Sequence, residues 1–308
     1  MSAGPLDDLG ALRGWAASAQ PVFICGQERS GTSALQLALA RHPALFPVPH
    51  VFETFVFNEP RALLADPPRR MLQGYLGGPE GLAAMRERLA VLGGGDAAAV
   101  ADEDLIRAFF AHAASCAYPG RRPLEKTPSH VYSLPRVFAL FPQARVLACV
   151  REPVEVVDSY RRRLRREQAL GKAPGDWAWL DKTDQQLIAQ FRRVDQALRE
   201  AAVRAPGQVF QVPYAWLTAD PAAALAALCD FIGEPFDPAL LAPRPGRSVR
   251  IDERLGQPLG APPTPEPTTL TEAVAATLRR ETWGLSRRWR VAGPLHPDTH
   301  AEAPAPAR

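Results

Sequence analysis

Apolar positions along the chain follow two rhythms. Val22-Phe23-Ile24-Cys25, Ala144 to Val150 (ARVLACV) and Gln208 to Val212 are short, nearly unbroken apolar runs. That pattern predicts strands covered on both faces, as in a parallel sheet. Between them the apolar residues recur at helical spacing. A helix over 32–41 puts Leu35, Ala38 and Leu39 on one face, and further helices are expected near 60–76, 79–91 and 102–117, with Gly93-Gly94-Gly95 as a break. Arg122 to Lys126 reads as another strand, leading through Thr127-Pro128 into a helix around 130–141. Pro153 suits the first turn of the next helix, a long helical region covers 177–204, and Asp220-Pro221 opens a helix that ends near Gly233.

Residues 44–58, with Pro47 and Pro49, predict a loop crossing a cleft. The proline-rich stretch 261–269 is expected to be a rigid connection into a last helix over 271–283. Strand, loop and helix in alternation imply an α/β, three-layer fold with a central, mainly parallel sheet flanked by helices. One domain is expected over 1–296, with residues 297–308 lacking order.

Composition narrows the function classes. The 308 residues are 46% hydrophobic and 22% charged, as in globular chains, and a net charge of +3 gives no case for bulk nucleic-acid binding. No run approaches the ~20 apolar residues of a membrane span, and the acidic N-terminus lacks the apolar core of a secretory signal, so a cytoplasmic location is expected. Cys25, Cys116, Cys149 and Cys229 are widely spaced and the histidines scattered. Free thiols and no metal site are expected.

The candidate chemistry starts at Gly26-Gln27-Glu28-Arg29-Ser30-Gly31-Thr32-Ser33, directly after the first strand. A glycine-rich turn from strand into helix presents backbone N–H groups and a helix N-terminus to an anion. The spacing is that of a nucleotide-triphosphate P-loop, but Thr32 stands where that loop needs its lysine, and the strand ARVLACV ends in Arg151 rather than a magnesium-binding aspartate. The cation sits inside the loop, at Arg29, which suggests an anion neutralised by protein cations alone.

These residues resemble the sulfotransferases that use 3′-phosphoadenosine 5′-phosphosulfate (PAPS), a family with a P-loop-like fold. Arg29-Ser30-Gly31-Thr32-Ser33 is similar to their first motif, and VLACVREPVEVVDSYR supplies Arg151 and Ser159 at the spacing of their second. The resemblance continues through EKTPSHVYSLPRVFALFPQARVLACV and VPYAWLTADPAAALAALCDFIGEPFD, so that it spans roughly residues 20–240, and points to the branch containing tyrosylprotein, glycosaminoglycan and many bacterial enzymes.

The resemblance implies roles for individual residues. Gly26 to Ser33 would bind the 5′-phosphosulfate, and Arg151 and Ser159 the 3′-phosphate. Arg247 and Ser248, in a C-terminal basic segment from Arg244 to Arg250, would close over that phosphate unless the segment is a solvated turn. Sulfuryl transfer needs a base for the acceptor hydroxyl and a cation for the leaving oxygen. Glu53 is the expected base, with His50 and Glu59 as rivals, and Lys126 the expected partner of the leaving group.

The product would be adenosine 3′,5′-bisphosphate, no metal is required, and the acceptor would be a hydroxyl-bearing sugar, phenol, peptide or secondary metabolite. Arg161 to Arg166 could line an entrance for an acidic acceptor or be solvated, and Trp177 and Trp179 could cover the acceptor cleft. Tyr214 is typical of the family and is read as structural. A catalytically silent nucleotide-binding protein and a small-molecule P-loop kinase are the competing readings.

Overall fold

The structure is a computed structural model that describes residues 4–46, 53–242, 259–260 and 267–300. Five strands form one sheet: β1 (Val22–Gly26), β2 (Leu124–Lys126), β3 (Arg145–Val150), β4 (Val209–Pro213) and β5 (Gly293–Pro294). Their order is β2-β1-β3-β4-β5. The first four are parallel, and β5 runs antiparallel to β4 at the edge. Residues of β1 and β3 alternate between two apolar layers. Phe23, Cys25, Val146 and Ala148 belong to one, and Val22, Ile24, Leu147 and Cys149 to the other. Burial of both faces is why these runs lack polar alternation.

The helices that cover the sheet are α1 (Leu9–Ser18), α2 (Thr32–Leu39), α3 (Arg70–Tyr75), α4 (Pro79–Leu92), α5 (Asp102–His112), α6 (Leu134–Leu140) and α7 (Pro153–Ala169). They continue with α8 (Pro174–Trp177), α9 (Asp184–Arg204), α10 (Tyr214–Ala219), α11 (Pro221–Ile232), α12 (Glu272–Glu281) and α13 (Trp283–Arg288). The helix expected over 60–76 is instead a 3₁₀ turn, Pro60–Leu63, followed by short α3, because Pro67 and Pro68 interrupt the hydrogen-bond ladder. The region 177–204 starts afresh at Thr183, whose hydroxyl accepts from the Gln186 amide while the Gln186 side chain accepts from the Thr183 amide.

Helix α1 was not expected. Asp8 caps it, and Arg13 ties it to α5 through Asp104 at 2.6 Å. A 3₁₀ turn over Pro297–His300 occupies the start of the stretch expected to lack order. No helix among the described residues is long and apolar enough to cross a membrane. The described cysteines are free thiols, three buried and Cys116 exposed.

The strand order decides where a ligand can sit. The chain leaves β1 for β2 on one side and returns to β3 on the other, so a crevice opens beyond the carboxyl ends of β1 and β3. The two strands approach closely there. Gly26 pairs with Cys149, and the Gln27 amide donates to the Cys149 carbonyl at 2.9 Å. Gly26 has φ 118, and a Cβ built on it would lie 2.2 Å from that carbonyl oxygen. Gly26→Ala should therefore destabilise the protein by about 2 kcal/mol or more. A urea midpoint equal to that of the parent chain would contradict this account of the strand end.

Candidate anion-binding and active site

Beyond Gly26 the chain makes a tight cradle. Arg29 adopts φ 67 and Gly31 φ 89, both in the left-handed region. A Cβ on Gly31 would meet the Tyr214 ring at 2.6 Å. Gly31 is also the residue before α2 and has no side chain to cap the helix's first amides, which leaves that N-terminus open to an external acceptor. Ser30 is fully buried, and its hydroxyl has no protein hydrogen-bond partner.

Residues far apart in sequence meet over this loop. Arg29 Nε donates to Ser159 Oγ at 3.2 Å, and an Arg151 N–H reaches the Arg29 carbonyl at 3.5 Å. Arg151 also donates to Glu155 at 2.7 Å and lies over the Tyr214 ring, 4.3 Å from its centre. The guanidinium is held flat on one side by an aromatic face and pinned at Nε by a carboxylate. Tyr214, read as structural from the sequence, is a wall of the cradle beneath both Gly31 and Arg151.

Glu28 would be a poor neighbour for an anion if its charge faced the crevice, but its side chain turns away. Its Oε2 accepts from the Tyr160 hydroxyl, from Lys182 at 3.1 Å and from Gln190 at 3.3 Å. Burial pushes the Glu28 carboxyl up, but the Lys182 charge and these hydrogen bonds outweigh it and hold the group below the ordinary carboxylate range. Gln27 is likewise turned inward, with its amide nitrogen on the Glu28 carbonyl at 3.2 Å. Neither side chain belongs to the cradle, and since the Gln27 backbone amide is taken by Cys149, only the Glu28 backbone is left to contribute.

At the end of β2, Lys126 is fully buried along its side chain, and its Nζ lies 2.5 Å from Glu53 Oε1, the carboxylate being about one-third exposed at 35%. The chain at Glu53 is held by a buried cluster on the neighbouring residue of β2. Glu125 accepts from Thr54 Oγ1 at 2.8 Å, from Thr127 Oγ1 at 2.6 Å and from His130 Nδ1 at 2.9 Å. Burial alone would raise the Glu125 carboxyl; His130 and the hydroxyls reverse that and hold it below its ordinary value. A carboxylate only accepts, so the imidazole proton sits on Nδ1. Phe55 follows at φ 53, a left-handed conformation that costs a non-glycine residue about 1–3 kcal/mol and persists only where its surroundings over-determine it.

Other candidates separate from this site. Glu59 pairs with Arg69, whereas Glu53 is the carboxylate that meets Lys126. Within the arginine run, Arg161 pairs with Asp184, Arg162 with Asp158 and Arg163 with Glu167. Those three tie α7 to itself and to the start of α9 rather than forming an open basic entrance. The Trp177 indole donates to the Lys172 carbonyl, while Trp179 is 47% exposed and edge-on to Tyr160. His50 and Arg244 to Arg250, including Arg247 and Ser248, lie outside the described residues.

Sequence reasoning missed Tyr160, Lys182, Gln190, Thr54 and Glu125. Tyr160 and Glu125 stand beside motif residues, Ser159 and Lys126, and adjacency was the one available signal. Among the described residues no group of three or more metal-ligating side chains converges.

The sequence matches the model of a sulfotransferase family over residues 21–238, and the chain belongs to that family. Membership makes it a transferase and implies a sulfuryl donor and a hydroxyl-bearing acceptor. Solved structures agree on the fold. The chain is similar to the sulfotransferase domain from the curacin biosynthetic pathway, with a TM-score of 0.55 and 20% identity, covering 86% of this chain and 98% of that one. It is also similar to the sulfotransferase domain from the olefin synthase of Synechococcus PCC 7002, with a TM-score of 0.53 and 23% identity, covering 89% and 96%. No curated protein matches the sequence significantly.

The depressed Glu28 carboxyl has a consequence for acid stability. Its folded value lies below the unfolded value near 4.5, so the stability it contributes is present above that pH and is lost as pH falls through the folded value. Glu28→Gln should therefore lower the urea midpoint at about pH 7, and the gap to the parent chain should narrow as pH falls below the unfolded value. Curves that stay parallel throughout would remove Glu28 from the acid response.

Proposed function

We propose that the chain moves the sulfuryl group of 3′-phosphoadenosine 5′-phosphosulfate to an acceptor hydroxyl. The observation that carries this reading is the meeting of Arg29, Ser159 and Arg151 over a glycine-rich turn at a helix N-terminus. Two guanidiniums and a hydroxyl, delivered by β1, β3 and α7, are the donor set that a nucleotide with both a 5′-phosphosulfate and a 3′-phosphate requires. The unpartnered Ser30 hydroxyl and the uncapped start of α2 add donors that the protein's own hydrogen bonding leaves over. When bound, the donor supplies an electrophilic sulfur and a phosphate leaving group.

The protein's part is to hold charge and to move one proton. Arg29 and the loop amides from Glu28 to Ser33 neutralise the phosphosulfate, the Gln27 amide being engaged by Cys149, and Arg151 and Ser159 hold the 3′-phosphate. Lys126, buried at the end of β2, donates to the oxygen that develops charge on bond cleavage, a role that guanidiniums with their fixed fork perform less flexibly. Glu53 takes the acceptor's proton through a carboxylate that is partly exposed, and so within reach of an incoming hydroxyl. Lys126 holds that carboxylate in place, so donor and acceptor sites share one ion pair.

Titration calorimetry with adenosine 3′,5′-bisphosphate against ATP tests the donor. The bisphosphate should bind without magnesium and ATP should bind weakly; no binding of the bisphosphate would refute the reading, and magnesium-dependent ATP binding would favour a kinase. Arg151→Ala should weaken the bisphosphate about 10- to 100-fold while leaving adenosine 5′-phosphate within a few-fold, because charge-assisted hydrogen bonds contribute about 1.5–3 kcal/mol. Equal losses for both nucleotides would take the 3′-phosphate away from Arg151.

A further inference from the structure

The end of β2 carries a device that the transfer step itself does not use. Successive side chains of a strand point to opposite faces. Leu124 packs in the layer with Val22 and Ile24, so Lys126 lies on that side and Glu125 on the other, where His130 meets the Phe57 ring at 5.0 Å. The loop straddles this strand end. Glu53 reaches Lys126 at 2.5 Å, while the very next residue, Thr54, gives its hydroxyl to Glu125 at 2.8 Å. Two consecutive loop residues are thereby matched to two consecutive strand residues.

Thr127 closes the arrangement. Its hydroxyl donates to Glu125 at 2.6 Å and accepts from the Thr54 amide at 3.0 Å. The Val56 amide returns to Thr54 Oγ1 at 3.3 Å, across the left-handed Phe55. Glu125 and Thr127 are fully buried and Thr54 nearly so. A carboxylate in so dry a place is tolerable only with its acceptor capacity filled, so the cluster has one low-energy arrangement.

We infer that Thr54, Glu125 and Thr127 are positioning residues: they fix the register of the loop on β2 and so place the Glu53 carboxylate on Lys126. The inference rests on the reading of Glu53 and Lys126 as the transfer pair only for its importance to catalysis; the geometry it claims is independent of any donor or acceptor.

The chain has only three lysines, Lys126, Lys172 and Lys182, so the test can be made without a known acceptor. In the full-length protein labelled with ¹⁵N,¹³C-lysine, the three Nζ shifts can be read through their Cε protons and assigned with Lys172→Arg and Lys182→Arg. Glu53→Gln should move the Lys126 signal alone and defines the full displacement. Thr54→Val should move it by at least half as far, Thr127→Val likewise, and Thr54→Ser should restore it.

Lys182 and Lys172 should stay in place in every variant, which separates a positioning role from general loosening. The inference is overturned if a folded Thr54→Val or Thr127→Val chain leaves Lys126 unmoved, if all three signals move together, or if Glu53→Gln has no effect. Failure of the bisphosphate to bind in calorimetry would instead refute the donor and leave these shifts as they are.

Discussion

Parallel pairing of β1 with β3 is the constraint from which the site follows. It brings the carboxyl ends of two strands separated by more than a hundred residues to the same level, and it does so only because Gly26 allows the backbones to close on each other. A hydrogen bond from the Gln27 amide to Cys149 then turns the loop over the end of β3. Arg29 and Arg151, one on each strand end, face the same crevice as a result. The site needs no specialised scaffold beyond this, since each later element only braces a geometry that the pair of strands already imposes.

Bracing is concentrated where charge is concentrated. Two like-charged arginines and a helix N-terminus would repel one another in a dry crevice without counterweights. Glu155 and the Tyr214 ring hold Arg151, and the Ser159 hydroxyl meets Arg29. Glu28 balances Lys182 one layer back, with Tyr160 and Gln190 completing its shell. The second centre, at β2, follows the same logic with a buried lysine on Glu53 and a buried carboxylate, Glu125, saturated by hydroxyls and an imidazole. In both centres a candidate cation has as its immediate chain neighbour a carboxylate whose charge is engaged inside the protein, Glu28 beside Arg29 and Glu125 beside Lys126.

Local signals made much of this legible. The strands were readable because burial on both faces leaves long apolar runs, and the loop because glycine and a helix start must sit at set offsets from the strand. The positions of Arg151, just past the end of β3, and of Ser159, about two turns along α7, were readable because strand and helix are contiguous in the chain. The helix expected over 60–76 fails at Pro67 and Pro68, where backbone chemistry overrides the apolar period. Helix α1 buries Leu12 and Ala16 and sets Trp15 edge-on to Phe141, but so short an apolar face is a weak local signal, and the partner residues that cover it lie far along the chain.

What the sequence determined by itself is the position of the candidate groups relative to the nearest strand end, because strand, turn and helix start are local events governed by a few adjacent residues. Tertiary structure alone decided which groups meet. It placed Tyr214 beneath Arg151 and Gly31, turned the Glu28 carboxylate toward Lys182, and divided Glu53 and Thr54 between the two faces of β2. Those contacts join residues up to 183 positions apart, as with Gly31 and Tyr214, and no local propensity carries information about such closures.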